Sequence, residues 1–466
     1  MSDRKVEAAK SSTINSIRDA RSSALERLPT EMLCEIFRAT LPWSRRLPPQ
    51  ENEDIDEIDD DEDIDAASLI GSEVGTPPWR LGLVCKRWRE CAVGDPTLWV
   101  TVDIQCDDIT ADQITEFYPL AALEAQILRS RDAPLNVAFL ACAFTDLPPL
   151  AVGLLQALVQ ESHRWERAVL GLGPKMLTEL APIRGRLQLL ESLELLSPAI
   201  PPALNDIFGA APQLRKVYLT DHDDENSLTR LSVPWGQITH LRAQFSAVCV
   251  DVLCRTHLLV ECNLWLHSNV SPFVTAVAVL PRLRRLSVNN TVLLQALKTP
   301  NLEYLFLVFY DRNVTINSAA FVVAFLQRSQ CQLKGLSGSN CSAGDLTPVL
   351  ANTPTLLHLH VHFQFAGVIH ETARLQELPN IGICPQLISI TLHLGWERCD
   401  YAALYDSIMA RIATLKFVSF CGGTSSAASV EQRLLALRSE ALDVFINDFD
   451  ARATKDMVND ICITTV

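Results

Sequence analysis

From Trp165 onward one short pattern keeps returning. It is an apolar anchor, two variable residues, an apolar residue, one variable residue and a further apolar residue, as in LESLEL (190–195), LRKVYL (214–219), LRRLSV (283–288), LEYLFL (302–307), LLHLHV (356–361) and LISITL (387–392). The anchors are Trp165, Leu190, Leu214, Ile238, Leu259, Leu283, Leu302, Leu333, Leu356, Leu387 and Leu415, so eleven anchors span 250 residues at a mean spacing of 25. Each unit offers one short strand and a return segment of helix or irregular chain, and neither buries its apolar side alone; stacking supplies the core. Pro212, Pro281, Pro300, Pro354 and Pro385, one or two residues before their anchors, fit a helix stop ahead of each strand. A doubly wound sheet also alternates strand and helix, but does not hold this register over such a length.

The period and the LxxLxL core resemble the leucine-rich repeat, although the Asn or Cys usual later in that unit is mostly missing. The fold expected is therefore α/β, a curved solenoid with a parallel sheet of about a dozen irregular units. The segment APLNVAFL (133–140) is a candidate first strand. Side chains alternate along a strand, so the variable residue between the last two apolar ones faces outward. In register these are Glu194, Tyr218, Arg242, Asn263, Ser287, Phe306, Ser337, His360 and Thr391. The next outward set is Leu196, Thr220, Gln244, Trp265, Asn289, Val308, Ser339, His362 and His393.

Tyr218, Arg242, Trp265 and Phe306 have the composition of a binding surface. LHLHVHF (357–363) adds His358, His360 and His362, with His393 beside His362 on the next strand. A His-x-His pair with a third nearby His has zinc-binding geometry; a polar recognition wall is the plainer reading, and no metal or cofactor is assigned.

The net charge of −15 is concentrated. Residues 51–65, ENEDIDEIDDDEDID, carry eleven carboxylates and no base, which leaves −4 for everything else. Such a run is solvated, and no basic field points to nucleic acid. No uncharged apolar run of about 18 residues suggests a membrane span. The N-terminus lacks the apolar core of an export signal. Fourteen cysteines without a CxxC pair fit reduced thiols inside a cell, and the four Asn-x-Ser/Thr sites carry little weight there. There is no GxSxG, P-loop, HExxH or dinucleotide fingerprint, so no enzyme class is indicated.

Either side of the acidic run lie two apolar blocks. In ERLPTEMLCEIFRATLPW (26–43), Pro29 opens a helix whose stripe is Leu33, Ile36, Phe37 and Leu41. In LGLVCKRWREC (81–91), Leu81, Val84, Cys85 and Trp88 share one helical face, and its two thiols are expected to pack rather than react. GDPTLWVTVDI (94–104) then turns the chain, and Trp99 begins a strand-like alternation. Two short helices and a Trp make little core by themselves, so they need a partner surface or the next domain to cap.

Together these blocks resemble the F-box: the Leu-Pro opening, the Val-Cys-x-x-Trp helix and the closing Leu-Trp occur in the family's order. The resemblance departs from the family in the roughly 30 residues separating the blocks, an insertion that loop-closure entropy tolerates. It implies docking of a helical Skp-type adaptor, which links such proteins to a cullin-RING ubiquitin ligase. Carried over by position, Leu28, Pro29, Leu33, Ile36, Phe37, Leu81, Val84, Cys85, Trp88 and Trp99 form the contact or the small core beneath it. Divergent repeats behind an F-box also resemble the arrangement of many large fungal families.

The expected organisation is an N-terminal segment over 1–22, an F-box domain over 23–104 with an acidic insertion at about 48–76, a solenoid over 105–448 and a tail over 449–466. The function expected is a non-enzymatic substrate receptor of an SCF-type ligase, cytoplasmic or nuclear, binding an unknown protein target. A repeat scaffold without ligase coupling is the alternative.

Overall fold

Pro29 stands at the N-cap of α1 (Thr30–Thr40), and its carbonyl accepts the Leu33 N–H at 3.2 Å. The computed structural model describes residues 28–41, 78–106, 119–141, 149–196, 200–220, 231–245, 250–266, 276–308, 318–341, 343–363, 383–393, 401–421, 435–438 and 442–446. The acidic run, the N-terminal segment and the tail lie outside the described residues. The chain divides into two compact units, Met1–Ala168 and Val169–Val466.

In the first unit the single helix expected over 81–91 is two. Helix α2 (Leu81–Val84) ends at Cys85, whose backbone is extended, with φ −158° and ψ 171°, and α3 (Lys86–Gly94) starts after it. The Cys85 sulfur accepts the Trp88 N–H at 3.5 Å, so this thiol is an exposed N-cap; only Cys91 packs inside. Trp99 closes a 3₁₀ turn (Pro96–Trp99) instead of opening a strand, and β1 (Thr101–Gln105) begins beyond it. There follow α4 (Leu120–Ser130), β2 (Leu135–Ala141), parallel to β1, and α5 (Pro149–Gln160). The chain passes into the second unit within β3 (Trp165–Leu172).

The second unit is built from the repeat. After each of the ten anchors from Leu190 to Leu415 the strand begins two residues on: β4 (Ser192–Leu196), β5 (Lys216–Thr220), β6 (His240–Phe245), β7 (Glu261–Leu266), β9 (Arg285–Val288), β11 (Tyr304–Val308), β12 (Gly335–Cys341), β13 (His358–Phe363), β14 (Ser389–His393) and β15 (Phe417–Cys421). With β16 (Asp443–Ile446) they form one parallel sheet in chain order, as a repeat solenoid does. The two-residue strands β8 (Ala278–Val279) and β10 (Leu297–Lys298) pair separately. Inward positions such as Leu193, Leu195, Val217, Leu219, Leu305, Leu307, Leu359 and Val361 are buried with their anchors.

At Pro354, three residues after a helix that ends at Ala351, the expected helix stop stands, and all five prolines share a turn. Each occupies the second position of a turn in which the anchor amide bonds the carbonyl three residues back: Leu214 to Ala211, Leu283 to Leu280, Leu302 to Thr299, Leu356 to Thr353 and Leu387 to Cys384. That is the position at which the fixed φ of proline suits a type I or II turn. Before Pro281 and Pro300 the preceding element is the short strand β8 or β10, so there is no helix to stop.

Return segments include α6 (Pro174–Leu177), α7 (Val250–Arg255), α8 (Ser318–Ser329), α9 (Ala343–Ala351) and α10 (Tyr401–Arg411). None of the described helices is long and apolar enough to cross a membrane. Arginines at the ends of two of them reach back one repeat. Arg328 donates to Leu294 O at 2.5 Å and to Leu297 O at 2.8 Å, and Arg411 donates to Cys384 O at 2.8 Å and to Ile383 O. In the first unit Arg164 does the same to Ala133 O at 3.0 Å and Ile127 O at 3.3 Å. Because Arg411 is buried, removing it leaves those carbonyls without their donors. Arg411→Leu is expected to cost about 3 kcal/mol of stability, read as a lower midpoint in chemical denaturation.

Candidate functional site

The first unit holds its helices around Leu33, Cys34, Phe37, Leu81, Cys91, Ala92, Leu98 and Trp99, with Leu28, Leu41, Trp79 and Trp88 packed at the margin. Trp99 donates its indole N–H to Ala92 O at 2.7 Å and meets Trp79 edge-on at 4.9 Å between ring centroids. The Arg129 guanidinium lies 4.7 Å from the Trp79 ring centroid and 4.4 Å from that of Trp99, closing this corner by cation–π attraction. Trp88 packs on Phe37 at 4.9 Å and stays half-buried.

Of the ten residues carried over for adaptor docking, Leu33, Phe37, Leu81 and Trp99 are core. Leu28 and Trp88 sit at its edge, and Pro29, Ile36, Val84 and Cys85 are exposed. Among the described residues from 28 to 105, the large hydrophobic side chains left in water are Met32 (52% exposed), Ile36 (43%), Leu83 (77%), Val84 (60%) and Val93 (40%). Met32, Leu83 and Val93 fall outside the stripes read from spacing. Spacing marks one apolar face per helix, whereas α1 turns Leu33 and Phe37 inward and leaves Met32 and Ile36, four residues apart, on another side.

The helix junction is fastened by Asp95. Its Oδ1 accepts the Thr97 N–H at 3.1 Å and the Thr97 hydroxyl at 2.7 Å, and its Oδ2 accepts from Arg38 at 2.7 Å. Arg38 also donates to Thr97 Oγ1 at 2.9 Å and Glu35 Oε1 at 2.6 Å. Burial pushes the Asp95 carboxyl up, but the two Thr97 bonds and Arg38 outweigh it and hold the group below its ordinary value. Arg87 ties α3 to the Leu28 carbonyl, and Arg89 donates to Gly82 O at 2.8 Å.

In the second unit the outward row read from the sequence is one continuous line. Glu194, Tyr218, Arg242, Asn263, Ser287, Phe306, Ser337, His360 and Thr391 are partners in register from β4 to β14. His358 lies on the row before it, between Gly335 and Ser389, and His362 is opposite His393. The side chains of His362 and His393 lie outside what the structure describes. Among the described residues no cluster of three His, Cys, Asp or Glu side chains is placed to hold a metal.

The face is less open than expected. Ser287, Ser337 and Thr391 are buried, while Tyr218, Arg242, Asn263, Trp265, Phe306, His358 and His360 are half-buried, because strands under 5 Å apart let large side chains cover small neighbours. His360 Nδ1 is 3.3 Å from Ser337 Oγ on the next strand. Asn289 does not face solvent at all: its amide donates to Leu266 O at 2.8 Å and accepts from Leu266 N at 2.7 Å, bridging two repeats.

Residues 25–105 match the family model described as F-box-like. F-box domains bind Skp-type adaptors, and the matched span holds both apolar blocks and the junction at Asp95. A search of the curated proteins returns no match. Among solved structures, the crystal structure of a protein from Bacteroides fragilis is similar at 14% identity over 57% of this chain and 67% of that one, with a TM-score of 0.31, too low to bear on function.

The F-box-like region therefore depends on an ionised Asp95. Its lowered value means that its contribution is complete above the ordinary aspartate range and is lost as pH falls through the lower folded value. Asp95→Asn is expected to destabilise by about 2 kcal/mol at neutral pH. The difference from wild type in urea midpoint should shrink on acidification below about pH 4.

Proposed function

We propose that the chain is a substrate receptor of an SCF-type ubiquitin ligase, with no catalytic role of its own. In this reading the F-box-like region docks a Skp-type adaptor and through it a cullin-RING assembly, in the cytoplasm or nucleus, while the outward face of the repeat sheet holds a protein target. The observation that carries it is the division of labour inside residues 25–105: Leu33, Phe37, Leu81 and Trp99 already make the core, and Met32, Ile36, Leu83, Val84 and Val93 are left over.

A surplus of this kind has a physical use. Burying one large aliphatic side chain contributes about 1.5–3 kcal/mol before ordering costs, so three or four anchors suffice for a specific complex. Of the residues carried over by position, Ile36 and Val84, with the exposed edge of Trp88, would touch the adaptor, and the buried ones would shape the surface from beneath. Met32 and Leu83 join the contact on exposure alone.

Core and contact residues separate in experiment. The double variant Leu83→Asp, Val84→Asp is expected to lose adaptor binding by about a hundredfold in titration calorimetry, since two desolvated carboxylates face an apolar surface, with thermal unfolding unchanged. Trp99→Ala is expected to lower the unfolding midpoint as well as the affinity. Absence of wild-type binding to a Skp-type adaptor, or full affinity in the Asp variant, overturns the reading and leaves a repeat scaffold in its place.

A further inference from the structure

Two residues after each anchor, at the first position of every strand, lies an outward row that the LxxLxL reading passes over. It runs Lys216, His240, Glu261, Arg285, Tyr304 on β5, β6, β7, β9 and β11, each the register partner of the next. One position further along sits Arg242, two residues beyond His240. Lys216, Arg242 and Arg285 are all half-buried, and among the described residues none of their side chains makes a hydrogen bond. Partly desolvated cations without hydrogen-bond acceptors are costly, which makes them unusual on a surface with no use for them.

Two carboxylates face them without a hydrogen bond among the described residues: Glu194, raised by burial and drawn down by Arg242, and Glu261 at the centre of the row. Glu261 is 7% exposed; its Oε2 lies 3.7 Å from His240 Nε2 and 3.9 Å from Arg285 Nη1, both beyond hydrogen-bond length, and its buried Oε1 has no hydrogen-bond partner among the described residues. Burial raises the Glu261 carboxyl against the opposing pull of Arg285 and Lys216. Burial also lowers His240, helped by Lys216 and Arg285, so the fixed positive charges of the strip are the other three.

Arg285 is held in place from its far side. The Tyr304 ring presents its face to the guanidinium at 5.7 Å, and that ring lies against Gly335, where a Cβ would come within 2.5 Å of Tyr304 Cδ1. A preorganised guanidinium of this kind pairs with a planar carboxylate through two parallel N–H bonds.

We infer that the strip from β5 to β9 binds an extended, Asp- and Glu-rich peptide segment of a protein target, whose carboxylates pair with Lys216, Arg242 and Arg285. Three strand spacings of about 4.8 Å separate Lys216 from Arg285, a reach of about 14 Å that four or five extended residues cover. This inference names the target chemistry for the sheet face assigned above, and rests on that assignment for its biological meaning.

The test titrates the full-length protein with a fluorescein-labelled peptide carrying Glu at alternate positions, a Gln-for-Glu control peptide, the same peptide with phosphoserine for Glu, and a single-stranded oligonucleotide. The expected result is salt-sensitive binding of the Glu peptide alone or most tightly. It should weaken about tenfold in Arg285→Gln and in Lys216→Met, and stay unchanged in Arg184→Gln, which removes the same charge from an exposed ion pair with Asp206. Glu261→Gln should tighten binding severalfold, a gain that misfolding cannot mimic. Preference for the phosphopeptide or the oligonucleotide, or equal binding by Arg285→Gln and Arg184→Gln, overturns the inference. Adaptor affinity measured on the same variants stays at the wild-type value if the ligase reading holds, and its failure would leave the peptide result standing.

Discussion

The repeat unit rests on one backbone arrangement, in which a single carbonyl accepts two amides from the next repeat. The Glu191 carbonyl takes the Arg215 and Lys216 N–H groups at 2.9 and 3.1 Å, the Arg215 carbonyl takes those of Thr239 and His240, and the same fork recurs down to Ile388 with Lys416 and Phe417. A carbonyl has two lone pairs, so the arrangement leaves none of these buried-edge groups wanting. It also makes no demand on the side chains at these positions, which are charged, aromatic or small by turns. Repeats of 19 to 31 residues therefore stack in one register, because the fork fixes where a strand starts and the return segment absorbs the difference.

The F-box-like region solves a harder problem with less chain. Its small core relies on stacked aromatics and on one carboxylate shared between a turn and a helix, with Arg38 bringing α1 to the segment after α3. Polar groups thus carry the join between the helices, and several apolar groups are spared from the interior. The exposed Leu83 and Val84 follow from the break at Cys85: the extended residue between α2 and α3 redirects the chain, and the two residues before it turn outward with nothing of the described chain laid over them.

Much of this was legible before any coordinates. Ten anchors mark ten strand starts, and the row from Glu194 to Thr391 reads straight off the spacing, because period-two alternation and a fixed anchor leave a strand no freedom of face. What escaped the reading depends on distance in space. Cys85 sits at helical spacing, yet its sulfur caps the next helix. Asn289 occupies an outward position, yet its amide finds the Leu266 backbone 23 residues away. Lys216, Glu261 and Arg285 fall at strand openings that resemble connectors in sequence, and only pairing aligns them. Exposure of the sheet face was overstated because alternation gives direction, whereas crowding by neighbours decides how much water remains.

The arginines that reach back one repeat have a further effect on how the solenoid comes apart. A stack joined only through nearest-neighbour strand edges frays from its end one unit at a time. Arg328 holds carbonyls of the unit around Leu294–Leu297, and Arg411 those at Ile383 and Cys384, so detaching either helix strips charge-assisted bonds from its neighbour too. Opening is then shared between adjacent units, and hydrogen exchange across each clamped pair should proceed in blocks.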